Sequence, residues 1–139
     1  MRPFKFRLER VLDVRQETEE QAKRAYTDAR LKRMEMESQI GDLRRRRAAL
    51  YVQGVDDVTA LALRDQMINA LELEERECII LLEQLEIDEG QCLLTWVEAR
   101  REAEVVSKLK EKAKSEWVIE ASREEQRELD EWAVMRRVA

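Results

Sequence analysis

The sequence has no histidine, one proline and three glycines, and aromatic residues fill only 5% of its 139 positions. So few prolines and glycines exclude a fold built from many tight turns. Histidine is the most frequent acid–base catalyst and a common metal ligand, so its absence removes the usual centre of such sites. Neither a glycine-rich phosphate loop nor metal-ligand spacing occurs. We therefore predict that the protein is not an enzyme and has no catalytic residue, no cofactor and no bound metal.

Long apolar stretches are also missing. The longest uninterrupted one, residues 78–82, is far below the ~20 residues that span a bilayer, and the charged N-terminus lacks the apolar block of a signal peptide. The sequence therefore predicts a cytoplasmic protein. Cys78 and Cys92 would lie roughly 21 Å apart on one helix, beyond disulfide reach. We interpret both as small residues buried between helices.

Charged residues make up 41% of the chain. Glu, Arg, Leu, Ala and Lys predominate, which is typical of long helices and coiled coils. The net charge of −5 is unevenly distributed, because residues 1–50 carry 14 basic and 9 acidic side chains, whereas residues 51–92 carry 2 basic and 11 acidic ones. If the two segments lie side by side, their opposite charges favour that pairing.

Apolar or small residues recur at spacings of four and three along two segments, which predicts a narrow seam between two helices. Pro3 suits a first helical turn, Gly54 can end a helix with a positive φ, and Asp56 or Asp57 can cap the next helix. We predict one elongated unit that covers all 139 residues. Its elements are helix one at about 3–52, a turn at 53–57 and helix two at about 58–137.

Two long helices joined by a short turn lie antiparallel. The predicted fold class is therefore all-α: an antiparallel coiled-coil hairpin with a longer, protruding C-terminal helix. A turn centred near residue 55 would place Phe4 near Val106 and the alanines of 22–29 opposite residues 81–88, and would leave helix two without a partner from about residue 108 onward. The predicted seam of helix one is Phe4, Leu8, Val11, Arg15, Thr18, Ala22, Ala25, Ala29, Lys32, Met36, Gln39 and Leu43. The predicted seam of helix two is Leu61, Arg64, Ile68, Leu71, Glu75, Cys78, Leu82, Leu85, Glu89, Cys92, Trp96, Ala99, Ala103, Val106, Lys110, Ala113 and Trp117.

Two short blocks carry a family resemblance. The pattern F-x-F-x-L-x-x-V-L-x-x-R runs from Phe4 to Arg15, and residues 125–131 read EQRELDE. Together they resemble the beginning and end of the flagellar type III export protein family FliJ, whose length and Gly-Asp turn are similar as well. The resemblance implies a cytoplasmic, non-enzymatic coiled coil, similar to the central stalk of rotary ATP synthases and peripheral at the cytoplasmic face of the membrane-embedded export apparatus.

The resemblance also implies partners. They are the hexameric export ATPase, whose pore the protein enters and whose assembly it promotes, the membrane export gate, to which it couples the ring, and export chaperones, which it escorts. Contact with the membrane would pass through proteins only, and the implied roles are flagellum biogenesis, motility and chemotaxis. Both termini would enter the ring, although the N-terminal block could equally serve only to close the end of the seam. The candidate ring-contact residues are Phe4, Phe6, Arg7, Leu12, Arg15, Gln126, Leu129, Asp130 and Trp132.

An apolar line recurs every seven residues on the side of helix two away from the predicted seam. Such a line facing water is unusual in a stable monomer, and it could receive a third helix from the gate, a chaperone or a second copy. Alternatively, the seam assignment is wrong and the line is partly buried. Apolar residues beside the turn form a second candidate contact, or they only seal the turn. The candidate gate or chaperone contacts are Tyr51, Leu63, Met67, Leu73, Ile80, Ile87 and Leu94.

The basic run Arg44–Arg47 suggests a nucleic-acid partner, because phosphates attract such runs. The chain is acidic overall and no stacking aromatics accompany the run, so we predict no nucleic-acid partner. A rival function is a general helical chaperone or scaffold that uses the apolar line for clients or dimerisation and has no ATPase partner. The homologous stalk of a virulence type III secretion system is a closer alternative.

Overall fold

The computed structural model describes residues 2–138 and contains two long helices. Helix α1 spans Glu9–Val52 and helix α2 spans Val58–Val138, and this described range contains no strand. Residues 53–57 join the helices without regular secondary structure. The chain is an all-α hairpin whose second helix is the longer one, which confirms the predicted fold class.

The helices contribute to two compact units. The unit Gln21–Trp96 contains the turn and the helical segments on both sides of it. The second unit combines the chain up to Glu20 with the chain from Val97 onward. Each unit is held by contacts between a segment of α1 and a segment of α2.

Helix α1 begins at Glu9, later than the start near Pro3 that we predicted. Phe4 packs against Trp117 with ring centroids 6.0 Å apart, and the indole N–H of Trp117 donates a hydrogen bond to the carbonyl oxygen of Arg2 at 3.2 Å. These contacts hold the N-terminal segment in a non-helical conformation. They prevail because a few terminal residues have only a weak helical preference of their own.

The turn is stabilised by side chains and not by glycine. Asp57 caps α2, since its Oδ1 accepts a hydrogen bond from the Ala60 N–H at 2.6 Å and so satisfies a donor that lacks a partner within the helix. The guanidinium of Arg64 donates to the carbonyl oxygen of Gln53 at 3.3 Å. The prediction for Gly54 was wrong, because no glycine among residues 2–138 has a positive φ.

The helices pair in a different register from the predicted one. In the second unit, Phe4 contacts Trp117 and not Val106. In the unit Gln21–Trp96, Tyr26 from the alanine-rich stretch stacks on Trp96, with ring centroids 5.5 Å apart and planes at 24°. Each of these partners on α2 therefore lies eleven or twelve residues beyond the predicted one, which is roughly 17 Å of helix. The prediction assumed a tight turn, whereas the first residues of α2 are exposed and precede the part that pairs with α1.

The predicted α1 seam was half right. The positions that recur every seven residues are buried or half-buried as predicted: Leu8, Arg15, Ala22, Ala29, Met36 and Leu43. The positions between them were wrong by one residue, and the inward-facing ones are Leu12, Glu19, Tyr26, Arg33 and Ile40. Leu12 is 4% exposed, whereas the predicted Val11 is 40% exposed. Leu12, Tyr26 and Ile40 bury more apolar area at these positions than the predicted residues would, and Arg33 pairs there with Glu89.

The α2 seam is confirmed over most of its length. Every predicted position from Arg64 to Trp117 is buried or half-buried, and only Leu61 is exposed. Both cysteines are free thiols, and Cys78 is buried. The stretch without a partner begins later than the predicted residue 108, because Lys110 forms an ion pair with Glu9 at 2.9 Å.

A cluster of buried apolar residues lies in the unit Gln21–Trp96. Ile40, Leu43 and Cys78 form its centre. Four partly buried apolar side chains pack against them: Met36, Leu71, Ile79 and Leu82. The burial of these side chains contributes to the apolar stabilisation of this unit.

Replacing Leu43 with alanine should lower the free energy of unfolding by about 2–4 kcal/mol, because it removes buried methyl groups and leaves a cavity. Urea denaturation followed by far-UV circular dichroism measures this. Leu31, which is 52% exposed on the same helix, provides the control, and Leu31→Ala should change stability by less than about 0.5 kcal/mol. Equal stability of the two variants would contradict the assigned core.

Candidate partner-binding surfaces

A buried charged cluster joins the two helices in the unit Gln21–Trp96. Glu75 is 8% exposed. Its Oε1 accepts a hydrogen bond from Nε of Arg44 at 2.8 Å, and its Oε2 accepts one from Nη1 of Arg47 at 2.5 Å. The hydrogen bond from Arg44 is the main reason that the pKa of Glu75 is lowered, and the positive charges of both arginines add to it, while burial opposes the shift.

A further ion pair across the seam in this unit also joins a basic residue of α1 to an acidic residue of α2. Arg33 of α1 contacts Glu89 of α2 and also pairs with Glu37 at 2.9 Å. The basic side chains thus come from α1 and their partners across the seam from α2. This agrees with the pairing of opposite charges that the sequence predicts.

Most arginines of the run Arg44–Arg47 form ion pairs within the chain. Arg44 and Arg47 bind Glu75, and Arg45 pairs with Asp42. Three of the four guanidinium groups are therefore already close to carboxylates. The predicted lack of a nucleic-acid partner stays a prediction, and these ion pairs favour it because they reduce the positive charge available to phosphates.

The apolar line on α2 faces water. Leu73, Ile80, Ile87 and Leu94 are 56%, 66%, 55% and 71% exposed, respectively. The alternative that a wrong seam assignment hides this line is therefore wrong. Because the confirmed seam lies on the opposite side of α2, the line is free to contact another molecule.

A second exposed apolar surface lies beside the turn. Tyr51, Leu63 and Met67 are all exposed. An open groove of about 510 Å³ is lined by Arg46, Ala49, Leu50, Met67, Ala70, Leu71 and Glu74. Its lining combines five apolar side chains with one arginine and one glutamate. The exposure of Tyr51, Leu63 and Met67 favours the predicted contact over a role confined to sealing the turn, and the contact stays a prediction.

The N-terminal candidates lie in different environments within their unit. Arg7 is exposed, and Phe4 and Phe6 are half-buried. Arg15 forms an ion pair with Glu102. Leu12 is buried in the seam, so our placement of this residue off the seam was wrong.

The C-terminal candidates are all exposed on the last turns of α2. Gln126 donates through Nε2 to Oδ1 of Asp130 at 3.1 Å. The guanidinium of Arg136 lies over the ring of Trp132, 4.8 Å from its centroid. Leu129 and Trp132 are both exposed, so two large apolar side chains near this end of α2 are accessible to solvent.

Sequence reasoning did not anticipate the Glu75 cluster or the stack of Tyr26 on Trp96. A signal for the cluster was present, because Glu75 occupies a position of the 4-3 pattern and a buried carboxylate requires a cationic partner. The stack could not be found in this way, because it depends on the register of the two helices.

The fold and its surfaces define a class of protein: a helical hairpin with exposed apolar surfaces suited to contacts with other proteins. Within residues 2–138, no helix combines the length and hydropathy needed to cross a membrane. A family model described as Flagellar FliJ protein matches residues 4–138. The chain therefore belongs to the FliJ family, a non-catalytic structural family, and is a component of the flagellar export apparatus. No curated protein and no solved structure matches the chain.

Replacing Glu75 with glutamine should lower the melting temperature at neutral pH, because the arginines lose a charged partner. The lowered pKa of Glu75 means that its ion pairs stabilise the folded state above the ordinary value of 4.5 and are lost as the pH falls toward the lowered value. The difference in melting temperature between wild type and Glu75→Gln should therefore shrink below about pH 4.5.

Glu83→Gln is the matched control, because Glu83 is exposed on the same helix and forms no ion pair within the described chain. Thermal melts of the three proteins across the acidic range measure the effect. A difference between wild type and Glu75→Gln that stays constant with pH would contradict the assigned role.

Proposed function

We propose that the protein is a coiled-coil stalk that binds the hexameric export ATPase, promotes its assembly and couples it to the membrane export gate, and that it also escorts export chaperones. The match of the FliJ family model to residues 4–138 carries this proposal. It favours the flagellar system over a virulence secretion system, since the matched family is described as flagellar. The single elongated unit predicted from the sequence is part of the proposal, as is a position at the cytoplasmic face of the membrane.

The second unit supports the proposed ring contact, because both groups of terminal candidates belong to it. Arg7 is exposed near the N-terminus, and Leu129 and Trp132 are exposed near the C-terminus. Exposed tryptophan and arginine side chains are frequent energetic centres of protein interfaces. The buried Leu12 would support this surface through packing and not through direct contact.

The mechanism that we propose is allosteric. A hairpin inside a ring of identical subunits presents a different surface to each of them. Subunits that meet different surfaces have different favoured conformations, because a ligand shifts a conformational equilibrium by its difference in affinity for the two states. The stalk would thereby change the populations of catalytic states without taking part in the chemistry.

The unit Gln21–Trp96 supports the proposed contact with the gate or chaperones. It carries the exposed apolar line of α2 and the groove beside the turn. These surfaces belong to a different unit from the candidate ring contacts. Separate variants can therefore test the two contacts.

Mixing the protein with its cognate export ATPase should increase both ring formation and ATP turnover. Leu129→Asp should require at least about a tenfold higher protein concentration for the same increase. The reason is that the substitution places an unpaired charge in the proposed contact. Analytical ultracentrifugation measures assembly, and phosphate release measures turnover.

Leu31→Asp is the control, because Leu31 is exposed to a similar degree as Leu129 and lies outside the proposed ring contact. It should leave ring formation unchanged. If wild-type protein at micromolar concentration alters neither assembly nor turnover, the stalk function is wrong and the general scaffold is favoured.

A further inference from the structure

We propose that the exposed apolar line of α2 binds one amphipathic helix of a partner protein, whose apolar stripe is flanked by lysine and arginine. The line consists of Leu73, Ile80, Ile87 and Leu94. This inference rests on the proposed function, because it names the chemistry of the gate or chaperone segment that this surface would receive.

The geometry of the line suits a helix. Its members recur every seven residues, so they follow one face of α2 at intervals of about 10 Å. All four are more than half exposed. A partner helix packed along α2 can place its own apolar residues between them in the manner of a coiled coil.

Gly90 lies beside Ile87 and Leu94, three residues after the first and four before the second. Apart from the adjacent residues and the nearby backbone of α2, no atom lies within 4 Å of the position that a Cβ would occupy there, so packing within the chain does not require a glycine. A glycine weakens an exposed helix relative to alanine. A residue without a side chain at this point would let the backbone of a partner helix approach closely.

The charge around the line is acidic. Glu77 lies on one side of the line, and Glu83 and Arg76 lie on the other. All three are exposed, and neither glutamate forms an ion pair in the part of the chain that the structure describes. By contrast, Glu75 and Glu89 face α1 and are paired with its arginines. Two glutamates against one arginine leave the flanks of the line with a net negative charge, and a partner with basic flanks complements it.

The negative charge beside the apolar line also disfavours other binding partners at this surface. A second copy of the line would bring acidic flanks together, and like charges across an interface disfavour association. Anionic lipid surfaces and nucleic acids would be repelled as well. Gln84 and Gln91 lie between the apolar residues of the line, so its apolar area is small and the contact should be reversible.

Two synthetic peptides test the proposal with the full-length protein. Each is a helix of about three heptads, the span of the line, with isoleucine and leucine at the core positions. One carries lysine at the flanking positions and the other carries glutamate. Fluorescence anisotropy at low and high salt should show that the lysine peptide binds at least about tenfold more tightly and that salt weakens its binding. Failure of the lysine peptide to bind, or equal binding of both peptides, would overturn the proposal.

Variants locate the contact. The double variant Ile80→Glu and Ile87→Glu should bind the lysine peptide at least about tenfold more weakly, whereas Leu31→Glu, at an exposed apolar position on α1, should bind like wild type. Gly90→Ala should also bind more weakly while its melting temperature rises. A double variant that loses its helical fold would show that the line belongs to the core, which would overturn the proposal.

Charge reversal provides the sharpest test, because it leaves the apolar line intact. Glu77→Lys with Glu83→Lys should weaken binding of the lysine peptide and strengthen binding of the glutamate peptide. Unchanged preference would refute the role of charge. The double variant of Ile80 and Ile87 should still promote assembly of the export ATPase, so loss of peptide binding with assembly intact separates this inference from the proposed ring function.

Discussion

The narrow seam between α1 and α2 is the interaction on which the rest of the structure depends. Each helix offers one line of side chains at alternating spacings of four and three, and much of this line is alanine, cysteine or charged residues. Such a seam buries little apolar area per turn, so a long pairing is needed to offset the conformational entropy lost on folding. The remaining circumference of both helices is left to solvent and to partners, which explains how a small protein can carry several distinct surfaces.

The charged cluster of Glu75 with Arg44 and Arg47 defines the register in which α1 and α2 pair. The apolar side chains of the seam alone do not define it. A heptad pattern repeats every seven residues, so a slip of α2 by one heptad would again place small or apolar residues against each other. The same slip would leave a buried carboxylate without its two guanidinium partners, which is strongly unfavourable. The ion pairs thus discriminate between registers that the apolar pattern treats as equivalent.

The sequence could predict the fold class and the α2 seam, because periodicity and the scarcity of turn residues depend on local spacing. It could not choose between Val11 and Leu12 on α1, since two heptad assignments share every seventh residue and only packing against α2 decides between them. The register was also beyond reach, because it depends on the path of the turn. The exposed line at Leu73 and Ile80 could be predicted, because the spacing of residues on α2 alone places it opposite the seam. The prediction did not depend on how α2 pairs with α1. The clustering of both terminal candidates in one unit required the structure.

The acidic residues of α2 fall into two groups, which face α1 or face outward. Those that face α1, such as Glu75 and Glu89, are neutralised by arginines and help to select the pairing. Those that face outward, such as Glu77 and Glu83, are surplus to folding, because the described chain provides them with no cation. Unpaired charge beside exposed isoleucine and leucine discourages association between copies while leaving the apolar side chains accessible. The asymmetry of charge that brings α1 and α2 together therefore also determines which kind of third helix the hairpin can accept.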